Sequence, residues 1–144
     1  MTRPPRNINQ PFFGVGKILM SCTQGLGILA VSLLVYFIGF RMGYAEKAVR
    51  AFTFITLIVS NIAVILSNRS WSDSIFKIIM TPNKTVKWIV GGAVLFLLLI
   101  VNIPALQNLF LFDKIGWLEL GICTLAGLST IIWFELYKHF KRII

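Results

Sequence analysis

The stretch that decides the fold is the apolar run at residues 18–40, "ILMSCTQGLGILAVSLLVYFIGF". It contains no charged residue, and a transmembrane helix needs about 20 mostly apolar residues. Three similar runs follow at residues 51–67, 88–106 and 117–134, of which the second is short for a span. The sequence therefore predicts an all-α, polytopic membrane protein with four transmembrane helices, forming one membrane domain over residues 18–144.

The composition agrees with a membrane protein. Hydrophobic residues make up 57% of the chain and charged residues 13%, whereas about a quarter of the residues in soluble proteins are charged. The net charge of +9 does not indicate nucleic-acid binding, because the basic residues form short clusters between apolar runs. Residues 1–17, "MTRPPRNINQPFFGVGK", are too polar for a signal peptide and predict a cytoplasmic, loop-like segment.

The distribution of Lys and Arg predicts the orientation. Ten basic residues lie on one side of the four runs: Arg3, Arg6, Lys17, Arg69, Lys77, Lys84, Lys87, Lys138, Lys141 and Arg142. Four lie on the other: Arg41, Lys47, Arg50 and Lys114. Cytoplasmic loops carry the excess of positive charge, so both termini are expected in the cytoplasm. We expect a multi-pass protein of the plasma or inner membrane.

Polar side chains inside the second run form a hydroxyl stripe. Thr53, Thr56, Ser60 and Ser67 follow one another at helical spacing, and Asn61 lies beside them near mid-span. Hydroxyls in membrane helices bond back to their own backbone or across to a neighbouring helix. For Asn61 two interpretations stay open. Its amide either bonds another helix, which we favour, or lies beside a cation path as a metal-contacting residue.

Small and polar residues also share faces in two other runs. In the first run, Ser21, Gly25 and Ser32 lie near one another on a helix, with Gln24 beside them, and this spacing favours close helix packing. In the fourth run, a similar face consists of Glu119, Cys123, Gly127 and Thr130. Glu119 is two residues from Trp117, so we expect its carboxylate to reach headgroup water.

The sequence shows no catalytic chemistry of its own. It has no nucleotide-binding loop, no Ser/His/Asp set and no cluster of acids, and its one histidine, His139, lies in the basic tail. Cys22 and Cys123 lie in apolar runs without metal-ligand spacing. We therefore predict no catalytic residue and no cofactor in this chain, and no acid at mid-bilayer through which it could drive ions alone.

Four motifs in order resemble a known family. The segment "MTRPPRNINQPFF" (1–13) resembles the cytoplasmic loop after the sixth membrane helix of calcium-type cation-transporting P-type ATPases. The segment at 50–71, "RAFTFITLIVSNIAVILSNRSW", is similar to the eighth helix, and "VNIPALQNLF" (101–110) to the end of the ninth. The segments "GWLEL" (116–120) and "FELYKHFKR" (134–142) resemble the start and the end of the tenth helix. Departures are Ala105, where the family usually has a second proline, and Phe134, where it usually has Asp.

The resemblance implies helices seven to ten of such a pump, a bundle that supports the ion-transport core. The expected partners are the lipid bilayer, the other membrane helices and the cytoplasmic domains that carry the phosphorylated aspartate and the nucleotide. The chain alone would then be no enzyme. For an isolated bundle two outcomes stay open, marginal stability or self-association through its exposed face. Asn61 matches the eighth-helix position where some members have a Glu or Gln ion ligand.

Two other functions are compatible with four spans. The main alternative is a free-standing four-helix membrane protein that acts as an accessory or assembly subunit. A small proton-coupled exporter is less consistent with the sequence, because the first run contains no acidic residue.

Overall fold

A computed structural model describes residues 15–68 and 84–132, with side chains described for residues 18–68 and 87–132. Within these ranges the chain is all-helical and has no strand, which confirms the predicted fold class at this level. The five helices are α1 (Val15–Arg41), α2 (Glu46–Asn68), α3 (Lys84–Asn102), α4 (Pro104–Phe110) and α5 (Trp117–Ser129). The predictions made for residues 1–14, for the loop at 69–83 and for Phe134 and His139 lie outside the described residues.

The first two helices are each long and apolar enough to cross a membrane. They form an antiparallel pair around a tight turn, in which Gly43 adopts a φ of 82° and the Tyr44 amide bonds the Gly39 carbonyl. Glycine suits this left-handed conformation because it has no Cβ. α2 begins five residues before the predicted start at residue 51. Its first turn is charged, and Glu46 and Arg50 bond each other on its exposed surface.

The third apolar run is not one straight helix. α3 ends at Asn102, and α4 begins at Pro104 at an angle of 94° to it. Proline disfavours the helical conformation of the residue before it, and Ile103 is accordingly extended, with φ −96° and ψ 114°. The sequence indicated an end or a kink near Pro104, and the structure places the bend there. The predicted third span, 88–106, therefore includes this bend.

By length and composition, the described residues contain two helices that can each span a membrane, α1 and α2. If α3 and α4 together form one bent span, the number of spans is three. α5 is apolar but has only 13 residues in the described part of the chain. The predicted run at 117–134 continues beyond residue 132, where the description stops. The chain is thus an integral, multi-pass membrane protein, and the four-span topology stays a prediction.

Helix α2 is the most buried helix and lies between α1 and α5. Ile55 at its centre is almost fully buried and belongs to a core with Phe52, Leu97 of α3 and Cys123 of α5. Most large side chains of α1 are exposed, as expected for a helix that faces lipid on several sides. The polar residues of α2 are therefore placed by its contacts with two other helices.

Candidate functional site

Two residues of the hydroxyl stripe of α2, Thr56 and Ser60, face α5. Thr56 Oγ1 donates to the Phe52 carbonyl oxygen on its own helix at 2.9 Å, and the Cys123 carbonyl oxygen of α5 lies 3.4 Å away. Ser60 Oγ repeats the pattern, with 2.7 Å to the Thr56 carbonyl oxygen and 3.2 Å to that of Gly127. Both hydroxyls belong to fully buried residues. The prediction that these hydroxyls bond their own backbone and a neighbouring helix is confirmed.

The matching face of α5 consists of small residues. Cys123, Gly127 and Thr130, which share one helical face, are all buried. A Cβ on Gly127 would lie 2.8 Å from Val59 Cβ and 3.0 Å from the Thr56 carbonyl oxygen. Only a residue without a side chain fits at this distance. The backbones of α2 and α5 approach each other here, as in small-residue contacts between membrane helices.

An amide pair joins α1 to α2. Gln24 Nε2 donates to Asn68 Oδ1 at 2.9 Å, and Asn68 Nδ2 donates back to Gln24 Oε1 at 2.8 Å. Ser32 of α1 is also buried, as its predicted packing role requires. Ser21 and Gly25 are instead exposed, and nothing lies within 4 Å of a Cβ placed on Gly25. No described residue packs against Gly25, so its predicted packing role is not borne out among the described helices. Ser21 lies on the same helical face as Ser32, and its packing role stays a prediction.

Asn61 lies on a different side of α2 from the hydroxyl stripe. It is exposed, and Leu57 and Ile65, one turn away on either side, are exposed as well. Among the residues that the structure describes, its amide has no hydrogen-bond partner. The structure therefore separates Asn61 from the polar residues that the sequence places next to it.

The described acids do not form a cation site by themselves. Glu119 is half-buried in the first turn of α5, with its carboxylate beside Gly116, where a carboxylate interacts favourably with the helix dipole. Across the described ranges, no group of three His, Cys, Asp or Glu residues could hold a metal ion. The polar contacts of Thr56, Ser60 and the Gln24–Asn68 pair join helices to one another.

The amide pair was missed at the level of sequence, although a signal for it existed. Gln24 and Asn68 each lie 22 residues from Glu46, the first residue of α2 after the turn, so antiparallel packing of the first two runs brings them to the same level. A second missed feature is a cluster of aromatic rings around α4, made by Phe54, Phe96, Phe110 and Phe112. No periodic pattern in the sequence links these rings, because they come from three separate segments.

Comparison with known proteins identifies the family. Residues 1–140 match the family model described as "Cation transporting ATPase, C-terminus". The chain belongs to this family. It is 26% identical to Calcium-transporting ATPase 1 of Schizosaccharomyces pombe over 143 residues, which are 99% of the chain and 16% of that relative. It is 25% identical to human Calcium-transporting ATPase type 2C member 1 over 140 residues, which are 97% of the chain and 15% of that relative.

The match confirms the family resemblance seen in the four motifs. The chain spans about a sixth of the length of the curated relatives it matches, and it corresponds to the C-terminal membrane part of calcium-transporting ATPases. This match does not favour a free-standing accessory or assembly subunit. The buried hydroxyls of α2 and the small-residue face of α5 therefore lie in the part of the chain that matches the C-terminal family model of cation-transporting ATPases.

Proposed function

We propose that these 144 residues form the transmembrane support domain of a calcium-type cation-transporting ATPase. The bundle packs against the ion-transport core of the pump and has no ATPase activity by itself. Membership of the family supports this proposal, as do the names of the relatives, which are calcium-transporting ATPases. The hydrogen bonds of Thr56 and Ser60 to α5 also support it, because they hold helices together.

The observation that carries the proposal is the division of polar groups around α2. The hydroxyls of Thr56 and Ser60 are used inside the bundle, whereas the amide of Asn61 is exposed on a side with no partner among the described helices. An amide without a partner in lipid is costly, and such residues usually face another helix or a water-filled cavity. The exposed side of α2, defined by Leu57, Asn61 and Ile65, is therefore the side that faces the transport core.

Two roles for Asn61 are distinguishable on this surface. As an interhelical donor and acceptor, it would bond a polar group of the core. As a cation-path residue, its neutral oxygen would be a weaker ligand for a divalent ion than a carboxylate. We propose the first role, with no cofactor held by this chain.

The test uses the complete ATPase reconstituted in vesicles, comparing Asn61→Leu with Leu57→Met, a volume-conserving exchange on the same side of α2. We expect Asn61→Leu to lower the thermal stability of the pump and to leave the cation concentration for half-maximal ATPase activity within about twofold. A tenfold or larger rise in that concentration, with stability unchanged, would assign Asn61 to the cation path instead. The control variant is expected to leave both quantities close to those of the unsubstituted pump.

For the topology we propose four spans with both termini in the cytoplasm, in a plasma or inner membrane. The counts of basic residues support this orientation. Single cysteines at Met42, in the turn between α1 and α2, and at Lys114, between α4 and α5, should then react with an impermeant maleimide from the non-cytoplasmic side. Both replace exposed residues, in a background with Cys22 and Cys123 replaced. Labelling of the two positions from opposite sides would contradict the four-span arrangement.

A direct test of the support role compares vesicles that contain the 144-residue chain with vesicles that contain the whole ATPase. Only the whole pump is expected to hydrolyse ATP and accumulate cations, because the chain has no nucleotide-binding loop. Cation uptake by the chain alone would refute the proposal. In detergent, we expect the isolated bundle to self-associate through the exposed side of α2, and a monomer by size measurement would refute that part.

A further inference from the structure

The bend between α3 and α4 is held by specific side chains. The last four carbonyl groups of a helix lack partners within that helix, and the Gln107 side chain of α4 donates to one of them, the Val101 carbonyl oxygen. Gln107 is buried, and Asn102 at the end of α3 bonds back to the Leu98 carbonyl oxygen at 2.8 Å. At the break, the side chains of Gln107 and Asn102 therefore donate hydrogen bonds to carbonyl oxygens near the end of α3.

Aromatic rings attach α4 to the rest of the bundle. The centroid of the Phe110 ring lies 5.9 Å from that of Phe54 in α2 and 6.4 Å from that of Phe96 in α3. Phe112, just after α4, is 5.2 Å from Phe54 and stacks on Phe110 at 5.7 Å. These distances are typical of favourable aromatic pairs. α4 therefore has a defined position across the end of α3.

Helix α4 has three sides that differ in the side chains they carry. Leu106, Gln107 and Phe110 are buried or half-buried and face the bundle. Asn108 is exposed on one side, and Leu109, 100° further around the helix, has 75% of its surface exposed. A short helix with a protein-facing side, a polar side and an apolar side fits the boundary between lipid and water.

We propose that α4 lies in the plane of the membrane, in the headgroup region of the non-cytoplasmic leaflet, with Leu109 inserted among the lipid chains. α3 is apolar and has 19 residues, which as a helix measure about 28 Å, close to the thickness of about 30 Å of the hydrocarbon core. The bend of 94° then turns α4 from the direction of the membrane normal into the membrane plane. The occupant of the Leu109 surface is therefore phospholipid.

Residues next to α4 also support a position at the headgroup level. Trp117, at the start of α5, is 80% exposed, and exposed tryptophans mark the headgroup level of membrane proteins. Lys114 is exposed between α4 and α5 and is complementary to lipid phosphate. Leu111 ends α4 in the left-handed conformation, with φ 56°, while half of its surface stays exposed. Its exposed side chain adds a second apolar group at the end of α4.

The experiment measures the depth of α4 in phosphatidylcholine vesicles that contain a fraction of phosphatidylglycerol. Spin labels are attached to single cysteines at Leu109 and Asn108 of the full chain, in a background without Cys22 and Cys123. A label at Leu95, an exposed position of α3, serves as the control for a folded, bilayer-inserted chain. Collisions with oxygen report exposure to lipid, and collisions with a neutral nickel complex report exposure to water.

We expect the Leu109 label to favour oxygen by at least threefold relative to the Asn108 label, which favours the nickel complex, while the Leu95 label shows the greatest depth. Equal and deep positions for both α4 labels would overturn the proposal, because α4 would then continue a span. A Leu109 label that is accessible mainly to the nickel complex would overturn it as well. The choice of leaflet rests on the proposed topology, but the depth readout needs no pump activity and does not depend on the leaflet, so its failure is distinguishable from failure of the proposed function.

Discussion

The contact of α5 with α2 makes a sharp prediction for Gly127→Ala. The new methyl group would lie 2.8 Å from both Cβ and Cγ1 of Val59 and 3.0 Å from the Thr56 carbonyl oxygen. Carbon atoms prefer separations of about 3.5–4.0 Å, so the helices must move apart by about 0.7 Å or more. The Thr56 carbonyl oxygen belongs to the backbone of α2, so a side-chain rotation of Val59 cannot relieve this clash.

The size of the effect follows from two terms. Overpacking of a tight contact costs about 1–3 kcal/mol. A movement of about 0.7 Å also lengthens the Ser60–Gly127 and Thr56–Cys123 hydrogen bonds beyond useful range, and interhelical bonds in membranes contribute about 0.6 kcal/mol each on average. We therefore expect Gly127→Ala to lower the free energy of unfolding by about 2–4 kcal/mol in total.

The assay is unfolding of the chain in mixed lipid–detergent micelles by titration with sodium dodecyl sulfate, followed by circular dichroism. The matched control is Gly121→Ala on the same helix, where nothing lies within 4 Å of the added Cβ. This control should be neutral or more stable by up to about 1 kcal/mol, since alanine favours helix over glycine. Equal stabilities of the two variants would refute the close approach of α2 and α5.

Three further predictions use the same assay. In the amide pair, Gln24→Leu and Asn68→Leu should be non-additive in a double-mutant cycle, with a coupling energy of about 0.6–1.7 kcal/mol; additive effects would mean that the two amides do not bond each other. Phe54→Ala removes two ring contacts to the α4 region and should cost about 2 kcal/mol, whereas Phe37→Ala, on the exposed surface of α1, should cost less than about 0.5 kcal/mol. Glu46→Gln should change the stability by no more than about 0.5 kcal/mol, because its ion pair with Arg50 is exposed, and a larger loss would contradict this weak contribution.

Hydrophobic periodicity located the helices but not their partners. The predicted runs at 18–40 and 51–67 lie inside α1 and α2, whose true ends include charged residues at the helix termini. A composition rule excludes such residues from a span, although long charged side chains at a helix end can reach water. The hydroxyl stripe could be predicted as a bonding face because a serine or threonine needs a partner in lipid. Its partner on α5 could not be predicted, because a hydroxyl can donate to a backbone carbonyl oxygen of any helix that approaches.

At Pro104, too, the sequence predicts where an element ends but not what it packs against. Proline in the sequence predicts a break, but the angle of 94° depends on the Gln107 side chain and on rings from three segments. The side of α2 that carries Asn61 was also beyond sequence reasoning. Asn61 follows Ser60 directly, and only the placement of α1 and α5 decides which of these adjacent residues is buried.

The long sequence separation of the α2–α5 contact has a consequence for synthesis. Sixty-seven residues separate Thr56 from Cys123, and the same number separates Ser60 from Gly127. A ribosome that adds about 5–20 residues per second needs about 3–13 s to make that interval. During this delay both hydroxyls stay bonded to carbonyl groups one turn back on α2. Helix α2 can therefore enter the bilayer before α5 is synthesised, with both hydroxyls already hydrogen-bonded within α2.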